Sequence, residues 1–225
     1  MSRDTPLAFY EFFAGGGMAR LGLGEAWRCT FANDFDPIKA AAYRDNFGDG
    51  DLREGDVWAL SPQDLPGRAD LAWASSPCQD FSLAGGRAGL KGGRSGAFFG
   101  FWRLIEGLDA EGRAPRALAI ENVTGLFTSH GGQDFQALAA ALAARGYAFG
   151  ALEIDAAQFT PQSRPRLFLI ATRQAPPLAL VGDSPFHTRA VRAAAAALPP
   201  ELAGRWIWWR LGAPARRNTE LSSLL

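Results

Sequence analysis

The chain has 225 residues, is 48% hydrophobic and 20% charged, and carries no net charge, the profile of one globular domain with at most a small appendage. No apolar run approaches the roughly 20 residues of a membrane span and no signal peptide opens the sequence, which makes a membrane protein unexpected. The only cysteines, Cys29 and Cys78, are too few for a disulfide framework or a cysteine-rich zinc site, so a reducing cytoplasm and no metal centre are expected. Charge is uneven along the chain. Residues 1–80 hold 13 acids and 7 bases, whereas residues 81–225 hold 10 acids and 16 bases. That division allows one face to meet a polyanion, although charges scattered over solvated faces give the same count.

Leu7 to Phe13 is a short apolar and aromatic strand, broken by Ala14-Gly15-Gly16-Gly17. Met18 to Trp27 has helical spacing and Cys29 to Ala32 resumes as strand, a βαβ opening. Pro37 to Asn46 reads as a second helix, with proline in its first turn and Asp36 as its N-cap. Residues 70–75, 116–121, 147–154 and 166–172 are further strands, with helices over 96–110 and 132–145. Alternating elements with short connections imply an α/β fold: a mainly parallel sheet with helices on both faces. Without a long helix between them, the last two strands are expected to form an antiparallel edge hairpin. Beyond Thr172 the prolines, the alanine run at 193–197 and Arg205-Trp206-Ile207-Trp208-Trp209-Arg210 read as a linker with one short helix.

Several residues at strand ends invite chemistry. Glycines between a first strand and a first helix let a ligand approach the backbone. The turn does not follow the G-x-G-x-x-G spacing of a dinucleotide site. Asp34 ends the second strand, where an acid accepts from ribose hydroxyls. Phe35 beside it is placed to stack on an adenine, and Asp56-Val57 offers another acceptor next to an apolar contact. A cap, a core ring and a solvated turn are the plain alternatives; in strand-end order these residues favour a cofactor carrying adenosine. Ser76-Pro77-Cys78-Gln79 puts a cysteine in a polar turn at the carboxyl edge of the sheet, and a buried structural thiol is its alternative. Glu121 ends the apolar strand 116–121, where a carboxyl in a dry site would be a proton donor at neutral pH; a solvated strand terminus is the plain alternative, and for this residue alone the stronger one. Arg164 and Arg166 stand on alternate residues at a strand start and can share a face, suited to phosphate, carboxylate or base edges, with an edge-strand salt bridge as the plain alternative.

In this order the blocks become diagnostic. Phe13-Ala14-Gly15-Gly16-Gly17, Asn33-Asp34, Gly55-Asp56-Val57, Ser76-Pro77-Cys78-Gln79-Asp80-Phe81-Ser82, Glu121-Asn122-Val123 and Gln162-Ser163-Arg164-Pro165-Arg166 resemble the cytosine-5 DNA methyltransferase family over residues 7–173. The resemblance implies a Rossmann-like methyltransferase fold with a seven-stranded sheet and S-adenosyl-L-methionine as cofactor. The substrate it implies is a cytosine flipped out of double-stranded DNA. Cys78 would attack carbon 6 as thiolate. Glu121 would hold the N3 edge and supply its proton, Asn122 would fix the loop carrying Cys78, Arg166 would meet the base carbonyl, and Arg164 would support Glu121 or a phosphate. Phe13 and Phe35 would sandwich the adenine, Asp34 would take the ribose hydroxyls, and Asp56 with Val57 would meet the adenine amino edge. Ala14, Gly15, Gly17 and Pro77 would line the rest of the cofactor seat. Gln79 and Ser82 would touch substrate, and Arg87, Lys91 and Arg94 would meet phosphates from a glycine-rich lid spanning Phe81 to Arg94.

Two departures are mild: Asp34 stands where glutamate is more usual, and Phe35 where tryptophan is common. A third is larger. Nothing after Thr172 matches the family's late blocks, and about 50 residues leave little room for a target-recognition domain. The expected organisation is therefore a catalytic domain over 1–175, with 176–225 as linker and start of a truncated recognition region. A separate polypeptide supplying the rest is the expected partner. The resemblance also implies a bacterial or phage enzyme of the restriction–modification kind, in the cytoplasm at the nucleoid. The alternatives are the same chemistry on tRNA, or a catalytically incomplete binding fragment or half of a split enzyme.

Overall fold

The structure, a computed structural model, describes residues 6–76 and 96–219. Pro77, Cys78, Gln79, Ser82, Arg87, Lys91 and Arg94, and with them the expected nucleophile and lid, lie outside the described residues. Seven strands are present: β1 (Leu7–Phe12), β2 (Trp27–Asp34), β3 (Leu52–Glu54), β4 (Leu71–Ala74), β5 (Ala117–Asn122), β6 (Ala148–Asp155) and β7 (Pro165–Thr172). Their order is β3-β2-β1-β4-β5-β7-β6. Neighbours from β3 to β5 are parallel and β6 and β7 are antiparallel, the mixed α/β sheet expected. The chain divides into two compact units, Met1–Ile120 and Glu121–Leu225.

In the first unit, helices α1 (Met18–Leu23), α2 (Pro37–Phe47) and α3 (Ala97–Ala110) join the strands. Asp36 caps α2 as expected, its Oδ1 accepting from the Ile38 and Lys39 amides at 2.9 and 3.4 Å. Helix α1 is shorter than its spacing suggests. Gly24, at φ 65°, turns the chain left-handed while its N–H closes on the Arg20 carbonyl, so Trp27 begins β2 instead of ending a helix. Strand β3 has no counterpart in the apolar pattern, because only Leu52 of its three residues is buried. Helix α3 buries Phe98, Phe101, Trp102, Leu104, Ile105 and Leu108, a broad apolar stripe, and the Phe101 ring meets Phe12 at 5.0 Å. Each such ring, removed from water, contributes about 2–3 kcal/mol. The register sets Phe12, Ala74 and Ile120 side by side across β1, β4 and β5, so these parallel strands end at one edge.

In the second unit, β6 and β7 are joined by α4 (Gln133–Ala144), α5 (Arg189–Ala196) and α6 (Pro200–Ala203). The expected boundary at residue 175 falls inside this unit. The segment expected as linker holds two helices and then returns along β6. The Phe149 amide donates to the Arg205 carbonyl at 3.0 Å and the Ile207 amide to the Phe149 carbonyl at 2.6 Å. Residues 205–207 thereby occupy hydrogen-bonding groups of β6, the last strand in the order, that would otherwise be exposed. The Trp206 ring packs edge-on against Phe135 and Phe149 at 6.2 and 5.9 Å.

The backbone of Ile207 comes so close to Gly150 that a side-chain carbon there would overlap the Ile207 carbonyl oxygen. Gly150→Ala is expected to destabilise the chain by about 2–3 kcal/mol in urea unfolding. Gly212→Ala, which meets nothing within 4 Å, should stay within about 0.5 kcal/mol of the parent.

Candidate active site

The first unit gathers the residues expected around an adenosine. After β1 the chain turns at Phe13 and Gly15, both with φ 56°, and a side chain at Gly15 would meet nothing within 4 Å. Asp34 holds this turn. Its Oδ2 accepts from the Gly15 amide at 2.8 Å and its Oδ1 from the Asp36 amide at 2.9 Å, with only 4% of the residue exposed. Asp34 is thus a buried tie between the turn, β2 and the start of α2, a role that its position at a strand end did not reveal. Phe35 is the opposite case, a large ring left 71% exposed. Asp56 is exposed, with its Oδ1 accepting from the Trp58 amide at 2.9 Å. Val57 is buried, and Gly100 of α3 leaves room for its methyl groups.

Two positioning residues of this unit were missed. Asn33 is buried, and its amide group donates to the carbonyls of Arg53 and Gly55 at 2.8 and 2.9 Å, setting the loop that carries Asp56 beside the end of β2. Glu11 of β1 is 1% exposed; its carboxyl faces the Ala19 and Arg20 amides of α1, and its Oε2 has no hydrogen-bond partner among the described residues. Burial pushes its pKa from about 4.5 up to about 7, against the opposing pull of those amides and the Arg20 charge. A polar residue in an apolar strand was the available signal.

The second unit gathers the residues expected around a base. Glu121 and Asn122 end β5, and Arg166 stands near the start of β7. Arg166 Nε lies 3.6 Å from Glu121 Oε1, an ion pair with each side chain 23% exposed. The dry setting expected for Glu121 is therefore not found: a guanidinium faces the carboxylate and water reaches both. Asn122 is buried, with its Oδ1 accepting from the Val123 amide at 2.8 Å. Arg164 precedes β7 and is exposed, and no ion pair joins it to Glu121 among the described residues. Its backbone is held by Asp155, whose Oδ1 accepts from the Ala157 and Arg164 amides at 2.9 and 2.7 Å and whose Oδ2 accepts from the Ser163 hydroxyl. These donors hold the Asp155 carboxyl below its ordinary range, led by the Ala157 amide. Among the described residues no group of His, Cys, Asp and Glu is arranged to hold a metal ion, and no helix is long and apolar enough to cross a membrane.

With a glycine turn tied to an acid at the next strand end, and a Glu–Arg pair on β5 and β7, comparison with known proteins is informative. Residues 7–197 match the family model for C-5 cytosine-specific DNA methylase, and the chain belongs to that family. It is 31% identical over 171 residues to the Type II methyltransferase M.BsuFI of Bacillus subtilis, spanning 75% of this chain and 40% of that protein. It is 29% identical over 171 residues to the Type II methyltransferase M.HhaI of Haemophilus parahaemolyticus, spanning 75% of this chain and 50% of the relative. The chain thus spans half or less of the length of these relatives. Among solved structures, S. pombe Dnmt2 shares the fold with a TM-score of 0.60 at 23% identity, covering 76% of this chain and 52% of that one. A Spodoptera frugiperda DNMT2 variant does so with a TM-score of 0.61 at 18% identity, covering 95% and 56%.

The raised pKa of Glu11 has a consequence for stability. Because the folded state binds this proton more tightly than the unfolded chain, the stabilisation is complete below about pH 4.5 and lost as pH rises through about 7. Urea unfolding of Glu11→Gln at intervals across that window should show a flatter pH dependence than the parent, by a total of roughly 3 kcal/mol.

Proposed function

We propose that this chain is the catalytic part of an enzyme that methylates carbon 5 of a cytosine in DNA, using S-adenosyl-L-methionine and a covalent cysteine adduct. The observation that carries the reading is the Glu121–Arg166 pair, found within the span of the family match. The cofactor seat is read from the first unit. Its residues fit an adenosine: an aromatic ring left uncovered at Phe35, open space at Gly15, and the Asp34 and Asp56 carboxylates each anchored by backbone amides. Phe13 and Phe35 hold the adenine, Asp34 offers its remaining lone pairs to the ribose, Asp56 accepts from the adenine amino group, and Ala14, Gly15 and Gly17 admit the methionine portion. Val57 supports Asp56 from the core. When bound, the cofactor supplies the methyl group.

The chain's own residues act on the base. Cys78 attacks carbon 6 as thiolate, forming a carbon–sulfur bond while the ring electrons move toward carbon 5. Glu121 holds the N3 edge and delivers a proton there, so that negative charge does not build on the ring. In the free protein Arg166 pairs with Glu121; with substrate it turns its donors to the base carbonyl, freeing the carboxyl for its proton. Asn122 steadies the segment around Cys78, and Arg164 meets a phosphate. After methylation a base, assigned to water, removes the carbon 5 proton, the returning electrons restore the carbon 5–carbon 6 double bond and expel Cys78 as thiolate, and the N3 proton returns to Glu121. Pro77 borders the cofactor, Gln79 and Ser82 border the flipped cytosine, and Arg87, Lys91 and Arg94 meet the DNA backbone.

The remaining length of the relatives is supplied, on this reading, by a further C-terminal region or a separate polypeptide carrying target recognition. Met18, Leu21 and Ile38, all more than 60% exposed, support that requirement, since apolar side chains left open in one unit favour cover. A cytoplasmic, nucleoid-bound location and a restriction–modification setting follow from the same reading.

Covalent trapping tests it. With S-adenosylmethionine and a duplex pool containing 5-fluorocytosine, where fluorine blocks the last elimination, the chain with its C-terminal region added is expected to give a denaturation-stable adduct. Cys78→Ala should abolish the adduct, and Glu121→Gln should slow its formation about 100-fold or more. An adduct from the 225-residue chain alone would make it self-sufficient. Trapping on RNA instead of DNA would replace the substrate, and no adduct on either would leave a binding fragment.

A further inference from the structure

Helix α1 carries the glycine turn, yet none of its residues is buried, and its apolar side chains Met18 and Leu21 are 72% and 65% exposed. Amphipathic helices are usually held by an apolar face; this one is held from α2 and its following loop by polar groups. The Asn46 amide donates to the Gly16 carbonyl at 2.9 Å. Arg20 Nη1 donates to the Tyr43 hydroxyl at 2.9 Å and to Asp51 Oδ2 at 3.2 Å, and its guanidinium lies 4.7 Å above the Phe47 ring. The Phe47 and Tyr43 rings also press on Gly17, which at φ 84° leaves no space for a side chain. Helix α2 itself starts just beyond Asp34 and Phe35, capped by Asp36.

We infer that Arg20, Tyr43 and Asn46 are positioning residues for the cofactor: from α1 and α2 they set the glycine turn relative to the strand end carrying Asp34 and Phe35. The inference rests on reading this unit as the S-adenosylmethionine seat. The methionine portion is assigned to the turn and the adenosine portion to Asp34 and Phe35, so the spacing between them decides whether both ends bind together. Asp34 fixes Gly15 and the Glu11 carboxyl faces the Ala19 and Arg20 amides, whereas Gly16 and Gly17 between them are set by the clamp from α2. Losing the clamp lets α1 shift with little loss of buried apolar surface, so affinity falls more than stability.

The test is calorimetric binding of S-adenosylmethionine to the full chain, with thermal melting of each variant in parallel. Asn46→Ala, at an exposed side chain, should weaken binding about threefold to tenfold with melting nearly unchanged, and Tyr43→Phe, whose buried hydroxyl also lies 3.5 Å from Cys29 Sγ, should weaken it similarly with a melting drop of a few degrees. Arg20→Ala should weaken it more than about tenfold, and Arg20→Lys should recover part, because lysine keeps a charge for Asp51 but lacks the planar fork. The Arg20→Ala/Tyr43→Phe double variant should fall short of the product of the single effects, since both break one contact. Parental affinity in Tyr43→Phe and Asn46→Ala would overturn the inference, and these variants decide even where Arg20→Ala fails to fold. No binding by the unsubstituted chain, alone or with the C-terminal region added, would overturn the cofactor reading and the clamp with it.

Discussion

The first unit is organised around one buried carboxylate. Asp34 accepts from the Gly15 amide on one oxygen and the Asp36 amide on the other, almost without contact with water. Hydrogen bonds to an ionised acceptor contribute about 1.5–3 kcal/mol each when their geometry is this short. They tie the end of β2 to the turn after β1 and to the cap of α2. The left-handed turn at Phe13 and Gly15 therefore needs no apolar packing of its own. Asn33 extends the tie to the loop carrying Asp56, so one strand end sets three loops at once. A short acid suits this work, because its oxygens reach the backbone directly.

The second unit uses the same device for other ends. Asp155 gathers the Ala157 and Arg164 amides and the Ser163 hydroxyl, which fixes the backbone from which Arg166 is presented. Arg166 then stands against Glu121, at a separation where a carboxylate keeps its charge partner but gives no strong hydrogen bond. Away from the site, the chain beyond α6 covers β6, and Gly150 permits the close backbone approach.

Much of this was legible before any coordinates. Apolar runs of four to eight residues located all strands but β3, and the Pro37 and Asp36 signals located α2. Strand β3 escaped because two of its three residues are exposed, leaving no alternation to read. Helix α1 was overextended because Ala26 and Trp27 continue the apolar spacing, whereas the left-handed backbone at Gly24 ends the helix. The exposure of Phe35 and the placing of Arg166 opposite Glu121 follow from residue type and strand-end position. The work of Asp34, Asn33, Glu11 and Asp155 does not, since each is defined by backbone amides that the sequence does not display as partners.

The order of short blocks along the chain determined the family and the chemistry to be sought, because residue types at strand ends are a property of sequence. Tertiary structure alone decided which of those groups are open and which are spent. Val57 became core because α3 offers a glycine opposite it. Glu121 became half of an ion pair because β7 brings Arg166 to it. Glu11 became a titrating group because burial removes the water that would keep it charged. Burial and pairing arise from contacts between distant segments, and those exist only once the chain has folded.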